Sequence, residues 1–238
     1  MYKDIINDLH NKVNPEKAKI LSSFFKTSKW WYWEWDRFLW IQVPDQRIVA
    51  KRYFQQTNFT DISHLLASEF HEIRLTWFLI LCYKYEYCVK KHNTNEQESI
   101  IKFYTSNLKY ANNWDLVDLT CYKILWHYLL DKDRTILYEF AQDKNMRKQR
   151  IAIVATMAFV KKWELSDTLK ISEMLLNHPH DLIHKAVGWL LREVWKQNEN
   201  VLRDFLNAHI NGMNRTTLRY AIERLDSESR TKYLNMIK

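Results

Sequence analysis

Glycine and proline are nearly absent: two glycines and three prolines stand in 238 residues. Strands joined by tight turns draw on glycine for positive φ and on proline for preset turns, and ordinary glycine usage is about 7%. A chain this short of both reads as all-α. Apolar residues at helical spacing predict helices over 4–10, 16–26 (opened by Pro15), 45–56 (opened by Pro44), 61–70, 71–91, 96–109, 114–130, 133–142, 147–162, 166–176, 181–196, 198–210, 214–224 and 227–236. The breaks are brief, so consecutive helices are expected to be antiparallel neighbours. Helix pairs recur roughly every 35 to 40 residues, the period of a HEAT-like α-solenoid with one concave basic groove. No linker divides the chain, and residues 1–238 read as a single domain. Residues 27–40, within KTSKWWYWEWDRFLWIQVPDQR, follow neither helical nor strand period and form an irregular segment, a candidate hairpin insertion.

The composition, 47% hydrophobic and 27% charged, predicts a folded core rather than disorder. The longest apolar run, Leu75 to Tyr83, is far below the roughly 18 residues of a membrane helix, and the N-terminus has no apolar signal region. Cys82, Cys88 and Cys121 are odd in number and lack CxxC spacing. They read as free thiols of a reducing cytoplasm, with no zinc site. His178, His180 and His184 lie close together but lack a partner cluster, which favours a helix start over a metal site. The formal charge of +8 and pI near 9.2 favour a polyanionic partner, nucleic acid first. A cytoplasmic monomer is expected, with no metal and no membrane.

The helix expected at 181–196, DLIHKAVGWLLREVWK, carries two stripes. Leu182, Ile183, Ala186, Val187, Leu190, Leu191 and Val194 form an apolar face. Lys185, Trp189, Arg192 and Lys196 follow at i, i+4, i+7 and i+11, a basic line with one flat ring in it. A Trp189 that caps the core between solvated cations fits the same pattern. Trp114 to Arg150 is 36 residues and Arg150 to Trp189 is 39, close to the repeat period. Equivalent positions in successive repeats line one face of a solenoid, and Asp118 lies one turn after Trp114. Two tryptophans, a carboxylate and an arginine on one basic wall suit a cationic N-alkylated purine nucleotide. Loss of its base develops positive charge on deoxyribose, which a carboxylate stabilises while orienting water. Tryptophan faces favour the cation, and arginine grips phosphate. An exposed helix carboxylate at Asp118 and a salt-bridged surface arginine at Arg150 fit the spacing as well.

Four segments resemble one family over about residues 24–234. NNWDLVD (112–118), QRIAIVATMAFV (149–160), DTLKISEMLLNHPHDLIHKAVGWLLREV (167–194) and NRTTLRYAIERL (214–225) are similar to the AlkD-type DNA alkylation repair proteins, HEAT-like alkylpurine DNA glycosylases. The resemblance implies Asp118 as the catalytic carboxylate, Trp114 and Trp189 as the active-site tryptophans, and Arg150 as the phosphate contact. Arg147, Lys185, Arg192 and Lys196 are the further DNA-binding cations expected. It also implies excision of cationic N3- and N7-alkylpurines from double-stranded DNA, without metal or organic cofactor and without flipping the base into a pocket. Two other readings stay open. Relatives with an N-terminal hairpin insertion bind branched or distorted DNA with no known excision, and an α-solenoid can serve as a protein scaffold.

The chain departs from that family at its glycines. Residues 26–41 look like the pattern KTGxGxYGEGDxFLGI, with Trp30, Trp33, Trp35 and Trp40 in glycine places. Trp126, Trp163 and Trp195 also stand where relatives carry glycine. Glycine permits positive φ and close backbone approach, whereas WWYWEW on an irregular exposed segment would present a large apolar patch. A true aromatic cluster is one reading. The other is recoding: where a genome reads UGA as glycine, translation by a code that reads UGA as tryptophan prints Trp at those positions. Trp114 and Trp189 are then UGG.

Overall fold

The computed structural model describes residues 1–13 and 37–236; their regular elements are all helices, with no strand among them. The predicted helix at 16–26 and most of the irregular 27–40 segment lie outside the described residues. The all-α expectation holds. Two compact units divide the chain, Met1–Leu116 and Val117–Lys238.

In the first unit, α2 (Val43–Tyr53), α3 (Phe59–Leu66) and α5 (Thr94–Ser106) pack on α4 (His71–Lys90), and α1 (Tyr2–His10) packs on α2 and α3. α4 is buried continuously from His71 to Cys82. Its apolar residues run around the whole helix, so it has no face that favours water and takes the centre. This is the apolar run seen in the sequence, and no described helix is long and apolar enough to cross a membrane. The polar residues at its start are each bonded. The Glu72 carboxylate accepts the backbone N–H groups of Leu39, Trp40 and Ile41 at 2.9, 2.6 and 3.3 Å. Arg74 donates to the Ser68 carbonyl at 2.8 Å. Asn58 and Asp61 form a capping box at the start of α3, which satisfies two otherwise orphan donors.

In the second unit, α12 (Asp181–Gln197) is central. Against it pack α9 (Met146–Ala155), α10 (Met157–Val160), α11 (Ser166–Leu175), α13 (Glu199–His209) and α14 (Arg215–Ala221), while α7 (Cys121–Leu129) and α8 (Thr135–Gln142) pack on α9, and α15 (Ser227–Met236) packs on α14. Gly188 lets α14 come close: a Cβ there would lie 2.5 Å from both the Thr217 carbonyl oxygen and Tyr220 Cβ. Two expected helices are each broken in the middle. The 147–162 stretch breaks at Thr156, whose hydroxyl donates to the Ile153 carbonyl at 2.7 Å and competes with the helix ladder. The 114–130 stretch stops after α6 (Trp114–Asp118), where the Thr120 N–H turns back to the Val117 carbonyl, and resumes at Cys121. Asp118 therefore stands at a helix end. Arg134 ties three elements together. It donates to Asp167 and Glu164, each at 2.6 Å, and lies 3.8 Å from the Phe159 ring centre. Burial, with Asp167 beside it, pushes the Tyr138 phenol up to about 12.

All three cysteines are buried, and none is in a disulfide. Burial pushes the Cys88 thiol up to about 11, and nearby Glu96 adds to the shift.

Candidate active site

Three groups of the second unit meet at one side chain. Asp118 comes from the end of α6, Arg150 from the middle of α9, and the Leu182 carbonyl from the first turn of α12. Arg150 Nε and Nη2 donate to the two oxygens of Asp118 at 2.9 and 2.7 Å, a bidentate pair. Nη1 donates to the Leu182 carbonyl. Arg150 is 6% exposed, and the Asp118 side chain is 13% exposed. The guanidinium fork matches carboxylate geometry and fixes both oxygens, which a lysine cannot do. Three of its five N–H donors are engaged, so a phosphate has only the remaining two. The arginine expected at phosphate is first of all the clamp on the carboxylate.

Trp189 is half-buried on α12, seven residues beyond Leu182. Two helical turns on the same element separate it from the carbonyl that holds Arg150. Arg147 lies one turn before Arg150, its backbone N–H held by the capping Asn145 side chain at 2.9 Å. The cations expected as a bare stripe on α12 each have a carboxylate in reach. Lys185 pairs with Asp181 at 2.9 Å, Lys196 with Glu193 at 2.7 Å, and Arg192 with Glu223 of the segment after α14. Asp181 and Glu193 were visible in the sequence as i−4 and i−3 neighbours. Glu223 was not, because it arrives from another helix. Exposed pairs of this kind contribute about 0–1 kcal/mol and yield readily to a phosphate.

Trp114 opens α6 and belongs to the first unit. Its neighbour Asp115 is held by His71 Nε2 at 2.7 Å, and Asp115 also accepts the Leu116 N–H at 2.9 Å. His71 is buried at the start of α4 and lies against Phe38, with ring centres 5.1 Å apart. The start of α6 is thus fixed to the core of its unit by a pair that sequence spacing did not reveal. The histidine trio resolves into local bonds. His180 caps α12 by accepting the Leu182 N–H at Nδ1, 3.1 Å away, and His178 Nδ1 accepts the His180 N–H at 3.0 Å. The His184 ring faces the His178 carbonyl. Burial holds His178 and His180 below the usual imidazole range. No metal-binding group of three His, Cys, Asp or Glu occurs among the described residues.

A family model described as DNA alkylation repair enzyme matches residues 5–225. Among solved structures, a predicted DNA alkylation repair enzyme from Enterococcus faecalis is similar with a TM-score of 0.68 at 15% identity, covering 91% of this chain and 98% of that one. At that identity the likeness concerns the fold. No curated protein sequence matches.

Proposed function

The chain belongs to the DNA alkylation repair enzyme family, and from that premise we propose that it hydrolyses the N-glycosidic bond of cationic N3- and N7-alkylpurines in duplex DNA. The observation that carries this reading is the Asp118 carboxylate, held by both oxygens on a buried arginine at a helix end. In such a lesion the base already bears positive charge. The C1′–N bond breaks with its electron pair going to the base, which leaves neutral, and the sugar becomes oxocarbenium-like. Asp118 supplies a fixed negative charge for that cation and orients the water that attacks C1′. Because Arg150 holds the carboxylate in advance, little reorganisation is needed as charge develops. Trp189, and Trp114 one turn before Asp118 in sequence, present aromatic faces that favour a cation over a neutral nucleotide. Arg147, Lys185, Arg192 and Lys196 contribute the sequence-independent attraction to phosphate. The base leaves as a neutral purine and needs no general acid, so excision can proceed without a pocket that encloses it.

The test is single-turnover release of methylated purine from alkylated duplex DNA. Asp118→Asn keeps the shape and loses the charge. It is expected to lose about 100-fold or more in rate, the range for removal of one fixed electrostatic group, while duplex binding persists. Wild-type rates in that variant would remove Asp118 from the chemistry. Binding by the wild type with no purine release would favour recognition of distorted DNA instead.

A further inference from the structure

Beyond α12, α14 and α15 enclose a cleft of about 610 Å³ lined by Arg215, Arg219, Arg230, Tyr220 and Glu223. Arg215 and Arg219 are one turn apart on α14, and Arg230 faces them from α15. All three are exposed. Unlike the cations of α12, none of these arginines has a carboxylate in ion-pair reach among the described residues. The one acid of the lining, Glu223, is engaged by Arg192. Three arginines less one glutamate leave the lining at +2. Clustered like charges raise the energy of the free protein, and an anion relieves that cost. Guanidinium is the side chain best fitted to phosphate oxygens. Tyr220, 37% exposed, adds an aromatic side chain to the lining. The cleft also adjoins the candidate site: α12 and α14 touch through Gly188, the residue before Trp189, and Glu223 bridges the cleft to Arg192.

We infer that this cleft is a phosphodiester-binding site that grips the DNA backbone beside the position presented to Trp189. The inference rests on the DNA-repair reading above and adds cations that meet a phosphate without first giving up an ion pair. Its role is to hold the strand in register, and it takes no part in the bond-breaking step.

The experiment compares wild-type protein with an Arg215→Gln, Arg219→Gln, Arg230→Gln triple variant. The readout is duplex affinity as a function of salt. If two to three phosphates are contacted, the slope of log affinity against log salt should flatten by about two. The wild-type advantage should then shrink about 16-fold between 50 and 200 mM salt, four squared for a fourfold change in salt. A Lys90→Gln, Lys91→Gln, Lys102→Gln variant of the first unit removes the same charge from exposed positions and should keep the wild-type slope. An unchanged slope in the arginine variant overturns the cleft assignment alone, as does an equal drop in the lysine variant. Failure of the wild type to bind duplex DNA overturns both this inference and the repair reading.

Discussion

Trp163 follows α10 with φ of 66°, in the left-handed region. The Glu164 N–H reaches back to the Phe159 carbonyl and the Trp163 N–H to the Val160 carbonyl, each at 3.0 Å. That is a Schellman motif, whose left-handed position is usually glycine. Trp40 has φ of 61° in the loop that wraps Glu72. His92 is the third non-glycine residue with positive φ among the described residues, and histidine is among the types that tolerate it, whereas a bulky indole is not. Trp163 is also 68% exposed, so no burial offsets its strain. The backbone at 40 and 163 therefore asks for glycine, independently of any likeness to relatives. Trp195 lies within α12 and the backbone of Trp126 within α7, where no such demand exists. Trp163→Gly is expected to raise stability by about 1 kcal/mol, the lower end of what a strained residue costs, measured by thermal or denaturant unfolding. The genomic codons at 40 and 163 are expected to be UGA and those at 114 and 189 UGG; UGG at 40 and 163 would end the recoding account. Arg150 provides a second residue-scale test. Arg150→Lys keeps the charge but gives up the bidentate hold on Asp118. Excision should fall well below wild type while the salt dependence of binding stays as it was. If the slope changes and excision does not, phosphate contact is the main role of Arg150.

Among the elements, the junction of α12 with α14 is the most constrained. One of the two atoms that a Cβ at Gly188 would meet is a backbone carbonyl, which cannot rotate away. Gly188→Ala should therefore push α14 off α12 and cost roughly 1–3 kcal/mol, as overpacking does. The check is an unfolding midpoint together with the affinity for duplex DNA, which should fall in parallel if α14 carries backbone contacts. A variant as stable as wild type would mean that the two helices slide apart without loss. Helix positions were readable from the sequence because apolar period and caps are local. Asn58, Asn93, Asn145, Asn198 and Asn214 all cap helices. The breaks at Leu119–Thr120 and Thr156 were not, since a single threonine bonding its own backbone leaves the apolar period intact.

At the scale of the molecule, the all-α class followed from the near absence of glycine and proline. The partnership of Asp118 with Arg150 did not follow, although both residues were picked out. Spacing brought each to notice, but their mutual orientation depends on where α6 stops and α9 crosses, which is a property of packing. His71–Asp115 and Arg134–Asp167 were missed for the same reason, since their members lie 44 and 33 residues apart. The buried thiols have a chemical meaning for a protein that meets alkylating agents. Methylating electrophiles consume thiolates before almost anything else in a protein, because the thiolate is the nucleophile. Here Cys82, Cys88 and Cys121 are all enclosed, and Cys88 stays protonated at any pH a cell reaches. Under methylating stress the folded protein should keep its three thiols unmodified, as read by intact mass, and gain sulfur adducts only once unfolded. Enclosing its thiols removes one route by which a repair protein would be damaged by the reagent whose lesions it meets.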